Sequence, residues 1–213
     1  MTVKLFWQDP YRTELVTRVA AVSGERVVLA ETILYAEHGG QERDHGSIGG
    51  RPVLDAAWQG HDIVYTLPPG HGLGVGETVR LALDWQRRYR LMRLHFAAEL
   101  VLEITTRRMV GIEKIGAHIA VDKARIDFAW PAGIGAELPA IAQAVQALVD
   151  ANGAIESAFT DVAAERRCWR IAGFAEVACG GTHLRRCGEV GQLALRRRNL
   201  GRGKERIEIT LML

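Results

Sequence analysis

The sequence predicts an α+β protein, in which a small N-terminal β-barrel is followed by an α+β domain with one long helix and a C-terminal β-hairpin. Three observations support this class. Apolar and polar residues alternate in short segments from residue 14 to 84, the period becomes helical at Trp85, and alternation returns near the C-terminus. We therefore expect two domains, residues 1–85 and residues 86–213.

Four strands are predicted in the first domain. The segment "ELVTRVAAVSGERVVLAE" contains two alternating stretches joined by a turn at "SGE". The segments "DIVYTLP" and "ETVRLALDW" are further strands, separated by the glycine-rich "PPGHGLGVG". Short alternating strands with turns between them indicate the barrel.

The second domain opens with the predicted long helix. "WQRRYRLMRLHFAAELVLEITTRR" has apolar residues at helical spacing and contains neither glycine nor proline. "AHIAVDKARIDFAW" predicts two short strands, and "GAELPAIAQAVQALVDANG" predicts a helix that ends at Gly153. "GQLALRRR" and "ERIEITLML" then form a hairpin around the loop "NLGRGK".

Composition restricts the class of protein. No apolar run reaches the roughly 18 residues of a membrane span, and the N-terminus lacks the apolar core of a signal peptide, so we expect a cytoplasmic protein with no membrane partner. Three cysteines are too few for a disulfide scaffold, and leave room for a thiolate ligand or buried thiols.

Net charge is only +2, which excludes a polycation that coats nucleic acid. Basic residues nevertheless cluster between positions 185 and 206, where eight basic side chains stand against two acidic ones. This cluster could neutralise phosphates. The alternative is a solvated edge strand that its charges protect from aggregation.

Two pairs of residues are candidates for a metal site. His95 and Glu99 are four apart on the long helix and share one face, and Cys179 and His183 flank a glycine-containing turn in "CGGTH". Together they offer nitrogen, sulfur and carboxylate donors that suit zinc. The alternatives are a partly buried imidazole for His95, and a buried Cys179 with a surface His183. For Glu99 they are a solvated helix carboxylate or a pairing with a nearby arginine such as Arg93.

The segment "HGGQ" in the first domain is a second candidate site. Gly39 and Gly40 would let backbone amides approach a ligand closely, and the amide of Gln41 would orient that ligand. The alternative is an ordinary β-turn.

Five segments in order resemble one family over most of the chain. They are "TILYAEHGGQERDHG", "DWQRRYRLMRLHFAAEL", "AHIAVDKARIDF", "CGGTHLRRCGEVGQLAL" and "GRGKERIEI". The chain is similar in these segments to the editing domain of alanyl-tRNA synthetase and to the free-standing alanyl-tRNA editing proteins of the AlaX type.

The resemblance implies a trans-editing hydrolase that deacylates mischarged tRNA(Ala), chiefly Ser-tRNA(Ala) and in some members Gly-tRNA(Ala), with one Zn²⁺ per chain. It places the zinc on His95, Cys179 and His183. Glu99 stands where the family has its second helix histidine, and we predict that Glu99 is the fourth ligand. Phe96 and His38 also depart from the family pattern.

The resemblance further implies a substrate pocket and a tRNA contact. Thr32 and Gln41 are the expected catalytic-pocket residues, and Thr32 is the candidate for reading the serine side chain. The expected substrate-binding residues are Gly39, Gly40, Gly180, Gly181 and Thr182. The residues expected to contact phosphates at the tRNA(Ala) acceptor end are Arg196, Arg197, Arg198, Arg202 and Lys204.

No obligate protein partner is evident, and the absence of a Walker-type glycine loop predicts no ATP-dependent activation. Two alternatives stay open. Glu99 and Phe96 are also compatible with a catalytically silent tRNA-binding relative, and His38 and Phe96 with a deacylase for another aminoacyl-tRNA.

Overall fold

A computed structural model describes residues 1–212 and confirms the α+β class. Within these residues there are two α-helices, α1 (Trp85–Arg108) and α2 (Leu138–Ala151), together with sixteen strands and two short 3₁₀ helices, Leu5–Trp7 and Cys187–Val190. The strands are β1 (Val3–Lys4), β2 (Glu14–Ser23), β3 (Arg26–Leu29), β4 (Glu31–Thr32), β5 (Gly46–Ile48), β6 (Arg51–Pro52), β7 (Asp55–Gln59), β8 (Asp62–Thr66), β9 (Thr78–Leu83), β10 (Glu113–Ile119), β11 (Ala124–Ala129), β12 (Glu156–Asp161), β13 (Arg166–Ile171), β14 (Ala175–Ala178), β15 (Leu193–Gly201) and β16 (Lys204–Leu211). Neither helix of the described chain is long and apolar enough to cross a membrane.

The chain forms two compact units. The first comprises Met1–His38 and Glu42–Arg90, and the second comprises Gly39–Gln41 and the chain from Leu91 onward. Helix α1 contributes its first residues to the first unit and the remainder to the second. The domains 1–85 and 86–213 stay a prediction.

The first unit is built on a curled, half-barrel sheet of seven antiparallel strands in the order β6-β5-β9-β2-β3-β8-β7. One face of β2 is buried because its side chains alternate: Leu15, Thr17 and Val19 are buried, and the residues between them are exposed. Strands β1 and β4 form a separate parallel pair. The predicted barrel therefore takes the form of a curled sheet.

A buried ion pair stabilises the first unit where α1 begins. Arg88 donates through two nitrogens to the carboxylate of Asp44, and both side chains are fully buried. The same guanidinium donates to the carbonyls of Ile33 and Pro10 at 2.7 and 2.9 Å, and the backbone N–H of Tyr35 donates to Asp44 at 2.6 Å. This network satisfies two charges that would otherwise be costly to bury.

The second unit contains two antiparallel sheets, β10-β11-β16-β15 and β12-β13-β14. Helix α2 buries Ile141, Val145 and Val149 at a spacing of four residues. The helix ends at Ala151 and its C-cap, Asn152, has the left-handed conformation with φ of 50°, so the residue that stops the helix is Asn152 and the predicted Gly153 was one residue late. Asparagine tolerates this conformation better than most side chains.

The C-terminal hairpin is confirmed and its turn is tighter than predicted. Arg202 and Gly203 both have positive φ, at 51° and 71°, as in the two-residue turns that fit the twist of paired strands. Leu213, the last residue of the predicted strand "ERIEITLML", lies outside the described residues. The three-stranded sheet β12-β13-β14 was not predicted, because all six residues of β12 are exposed and show no alternation.

Candidate metal centre and substrate site

Three of the four predicted metal-binding side chains lie in one cluster of the second unit. His95 is on α1, Cys179 directly follows β14, and His183 is in the loop beyond, with ligand-type atoms all within 4.8 Å of one another. Nε2 of His95 lies 3.4 Å from Sγ of Cys179. The two imidazoles are buried and stacked, with ring centroids 5.2 Å apart.

Hydrogen bonds to Nδ1 orient both imidazoles. Nδ1 of His95 lies 3.2 Å from the carbonyl oxygen of Thr182, which can only accept, so Nδ1 carries a proton and Nε2 faces Cys179. Nδ1 of His183 lies 2.9 Å from Oγ of Ser157. Nε2 of His183 is buried and has no hydrogen-bond partner among the described residues. Such an atom is costly unless it is satisfied, and a metal ion would satisfy it.

The carboxylate of Glu99 faces this cluster. Its Oε1 lies 3.4 Å from Nε2 of His95 and 3.6 Å from Sγ of Cys179, while its Oε2 accepts from Nε1 of Trp169 at 3.2 Å. Arg93, the alternative partner, instead donates to the carbonyl of Val190 at 2.9 and 3.1 Å. Ligation of a metal by Glu99 stays a prediction.

The electrostatics of the cluster favour a positive charge among the donor atoms. Burial alone would lower the pKa of His95, but Cys179 and then Glu99 raise it well above its usual value. Burial opposes ionisation of Glu99, yet the hydrogen bonds from His95 and Trp169 lower its pKa to about 2. Burial, followed by the charge of His95, lowers the pKa of His183 well below normal. Glu99 and His183 are therefore already in the forms that bind a metal, an ionised carboxylate and a neutral imidazole, whereas His95 would release a proton when a metal binds.

The loop between Cys179 and His183 is shaped by close packing. A Cβ atom at Gly181 would lie 2.2 Å from Cε1 of His95 and 2.7 Å from Oε1 of Gln41. One at Gly180 would meet no atom of residues 1–212 within 4 Å. Gln41 is bonded to the same loop, because Nε2 donates to Oγ1 of Thr182 at 2.9 Å and Oε1 accepts from its backbone N–H at 3.3 Å. The predicted residues Gln41, Gly181 and Thr182 thus lie together beside His95.

The paired glycines before Gln41 have a clear structural role. Gly40 has a φ of +89°, and a Cβ there would lie 2.6 Å from the carbonyl oxygen of Ala117. Its own carbonyl accepts from the N–H of Ile119 at 2.7 Å. Gly39 also has a positive φ and open space around it. Close approach of the chain's own backbone explains Gly40, and approach of a ligand stays a prediction.

Thr32 lies in the core of the first unit, where its side chain is buried. Its Oγ1 is 2.6 Å from the hydroxyl of Tyr65, which donates to the carbonyl of Leu34 at 2.7 Å, so Thr32 must donate to Tyr65. The N–H of Leu34 donates to Oγ1 at 3.1 Å. One acceptor lone pair of Thr32 remains after these bonds, and its role toward serine stays a prediction.

Residues of the three-stranded sheet surround the cluster and were missed by the motifs. Trp169 holds Glu99, Ser157 holds His183, and Arg167 donates to the carbonyl of Gly181 at 3.3 Å. Phe96 packs edge-to-face on Trp169 and His183, at 5.2 and 6.0 Å between centroids. The sole sequence signal was the apolar Trp169 among arginines in "RRCWRI".

The predicted basic residues of the hairpin do not share one face. Arg197 donates through two nitrogens to the buried carboxylate of Glu205, at 2.6 and 2.7 Å. Successive residues of a strand point to opposite faces, and Arg196 and Arg198 are opposite Glu208 and Arg206 in the register. Arg202 is exposed in the turn, and Lys204 is exposed at the start of β16.

Fold and cluster together define an α+β protein with a candidate metal centre of one thiolate and two imidazoles. The chain matches no family model. It is 32% identical to the alanyl-tRNA editing protein AlaX-M of Pyrococcus horikoshii, over 99% of this chain and 98% of that protein. It is 30% identical to the protein of the same name from Methanosarcina acetivorans, over the full length of both. It is 29% identical to the alanine–tRNA ligase of Methanococcus aeolicus, over 98% of this chain and 25% of the ligase. The chain therefore belongs to the AlaX-type family of free-standing alanyl-tRNA editing proteins.

Proposed function

We propose that the chain is a trans-editing hydrolase that releases serine from Ser-tRNA(Ala), with one Zn²⁺ held by His95, Glu99, Cys179 and His183. As a member of its family, it is an aminoacyl-tRNA deacylase. The observation that carries the metal site is the buried cluster, in which Nε2 of His183 has no hydrogen-bond partner among the described residues. Gly-tRNA(Ala) is a second substrate to test.

Zinc bound in this cluster would supply Lewis acidity for cleavage of the ester. The chain's own residues supply orientation, because Thr182 holds His95 through its carbonyl and is itself held by Gln41. Hydrolysis adds water across the ester: the acyl carbon–oxygen bond breaks, serine leaves as the free acid, and the ribose hydroxyl regains a proton. Gly180, around which a side chain would have open space, is the point in this loop where an acyl group has room to approach.

Discrimination needs a polar group for the serine hydroxyl, since an apolar pocket rejects or selects an extra hydroxyl only weakly. Thr32 is our candidate, because one acceptor lone pair of its Oγ1 remains after the bonds to Tyr65 and Leu34. Replacement of Thr32 by valine removes this acceptor at nearly constant volume. We expect the preference for serine over alanine to fall.

Contact with tRNA phosphates is proposed for one face of the hairpin. Arg196, Arg198 and Lys204 occupy alternate positions whose register places them on the same side, and Arg202 is exposed at the turn. Arg197 points to the other face and is engaged with Glu205, so we assign it a smaller part. Such contacts position the tRNA without reading its bases.

The test is release of serine from purified Ser-tRNA(Ala), measured beside a panel of other aminoacyl-tRNAs and with zinc content determined for each protein. Cys179→Ala should lose zinc and about 10²-fold or more of the rate. Cys187→Ala removes another buried thiol that lies outside the cluster, and should keep both. No release above the spontaneous rate by the parent protein refutes the proposal.

A second candidate function is a tRNA-binding relative without hydrolytic activity. The observation that favours it is the carboxylate of Glu99, which replaces the neutral donor expected on the helix. Bound zinc together with tRNA binding but no serine release would support this reading. Serine release that depends on Cys179 excludes it.

A further inference from the structure

Trp169 lies directly behind Glu99. Its side chain on β13 is fully buried, and its Nε1–H donates to Oε2 of Glu99 at 3.2 Å. The other carboxylate oxygen, Oε1, lies 3.4 Å from Nε2 of His95 and 3.6 Å from Sγ of Cys179. One oxygen is therefore held by the indole, and the other is directed at the candidate metal centre.

We propose that Trp169 is a positioning residue that orients Glu99 toward the cation of this cluster, and that it matches a carboxylate at position 99 better than a histidine. The inference rests on the proposed metal site. An indole N–H is a donor only, and a carboxylate is an acceptor only. A histidine that binds a metal through one ring nitrogen carries a proton on the other. That proton would face the indole proton, so two donors would meet.

The packing around Trp169 makes its donor rigid. Phe96 contacts the indole edge-to-face at 5.2 Å between centroids. The strand register places Trp169 between Ser157 of β12 and Val177 of β14. A buried side chain packed on both sides in this way holds its N–H in one direction.

The same strand pair orients a second candidate ligand. Ser157, the register partner of Trp169, lies with Oγ 2.9 Å from Nδ1 of His183. Strands β12 and β13 therefore present two adjacent polar groups, one to Glu99 and one to His183. The sheet β12-β13-β14 thus supplies side chains that hydrogen-bond to two of the candidate ligands, Glu99 and His183.

The expected loss of zinc affinity follows from the hydrogen bond between Trp169 and a candidate ligand. Loss of an outer-shell partner typically weakens metal binding by about 10- to 100-fold. Trp169→Phe removes the donor and keeps an aromatic ring, so we expect a loss in this range. In a Glu99→Ala background the donor has no carboxylate to hold, and the same change should alter zinc affinity by no more than about twofold. In a Glu99→His background, Trp169→Phe should leave zinc affinity unchanged or raise it.

The experiment measures zinc affinity of the full chain by competition with a chromophoric chelator, for the parent, the three single variants and the two double variants. Trp130→Phe, at a tryptophan outside the cluster, is the matched control and should bind zinc like the parent. The proposal is supported if Trp169→Phe weakens zinc binding only in proteins that retain Glu99. An equal loss in the Glu99→Ala background, or no loss in the parent background, overturns it.

A spectroscopic measurement keeps the inference testable if Trp169→Phe does not fold. The indole N–H signal of Trp169 in the NMR spectrum should shift when Glu99 is replaced by alanine, and should shift when zinc is added to the parent. A signal that moves in neither case overturns the inference. If the parent binds no zinc, both the proposed metal site and this inference are wrong. If the parent binds zinc but the effect of Trp169→Phe on zinc affinity does not depend on Glu99, only this inference is wrong.

Discussion

Gly180 and Gly181 are adjacent glycines with opposite surroundings, and they provide a sharp test of the candidate site. Neither has a positive φ, so the backbone accepts alanine at both positions. A Cβ at position 181 would lie 2.2 Å from Cε1 and 2.9 Å from Nδ1 of His95. A Cβ at position 180 would meet none of the described residues within 4 Å. In the protein without substrate, the two substitutions therefore differ in their contact with His95.

The displacement that Gly181→Ala demands can be worked from these distances. Favourable carbon–carbon contacts lie at about 3.5 Å or more, so His95 or the loop must move by roughly 1 Å. Overpacking of this kind costs about 1–3 kcal/mol of unfolding free energy. A displacement of about 1 Å at a reacting centre costs on the order of 10²-fold in rate. We expect losses of this size for Gly181→Ala, together with weaker zinc binding.

The comparison uses denaturant unfolding, zinc content and single-turnover release of serine, with both variants measured beside the parent. Gly180→Ala should unfold within about 1 kcal/mol of the parent or be slightly more stable, because alanine restricts the unfolded chain. If Gly181→Ala retains the stability, zinc and rate of the parent, the close packing against His95 is wrong. Equal losses of stability and of zinc in both variants would show that the steric contact with His95 is not their cause.

Four further predictions concern the first unit and the hairpin. Asp44→Asn leaves the buried guanidinium of Arg88 without its counter-charge and should lower the unfolding free energy by about 3–5 kcal/mol; a loss below about 1 kcal/mol in urea unfolding contradicts the network. Arg196→Ala should lower the magnitude of the slope of log affinity for tRNA against log salt concentration by about 1, with unchanged stability. Arg197→Ala should mainly lower the free energy of unfolding. The reverse pattern would show that the two arginines are assigned to the wrong faces of the hairpin. The hydrogen bond from Arg197, together with Asn199 and despite burial, lowers the pKa of Glu205 below its usual 4.5. The stability difference between parent and Arg197→Ala should therefore be full above that pH and shrink as pH falls through the lowered pKa, and a difference independent of pH contradicts this. Thr32→Val should reduce release of serine relative to alanine and, by removing a buried bond to Tyr65, cost about 1–3 kcal/mol of stability; equal discrimination in parent and variant would remove Thr32 from the pocket.

Secondary-structure elements whose signals are local could be predicted from the amino-acid sequence. Helix α1 runs from Trp85 to Arg108 as its apolar spacing and lack of glycine and proline predict. Strands β2, β3 and β16 follow from alternation that is buried mainly on one side. Strand β15 is mostly exposed and pairs with β16. Strand β12 was missed because all of its residues are exposed and carry no period. Strands β13 and β14 are short segments whose pairing depends on neighbouring strands.

For the candidate site, the sequence determined which side chains are available. The helix period places His95 and Glu99 on one face, and the short loop "CGGTH" keeps Cys179 near His183. Tertiary structure alone decided that these two segments meet, since Cys179 and His95 are 84 residues apart in the chain. It also decided that Trp169 donates to Glu99, that Gly181 lies against His95, and that Arg197 pairs with Glu205. These contacts arise when separate elements pack together, and the period of any one segment carries no information about the partner that it will meet.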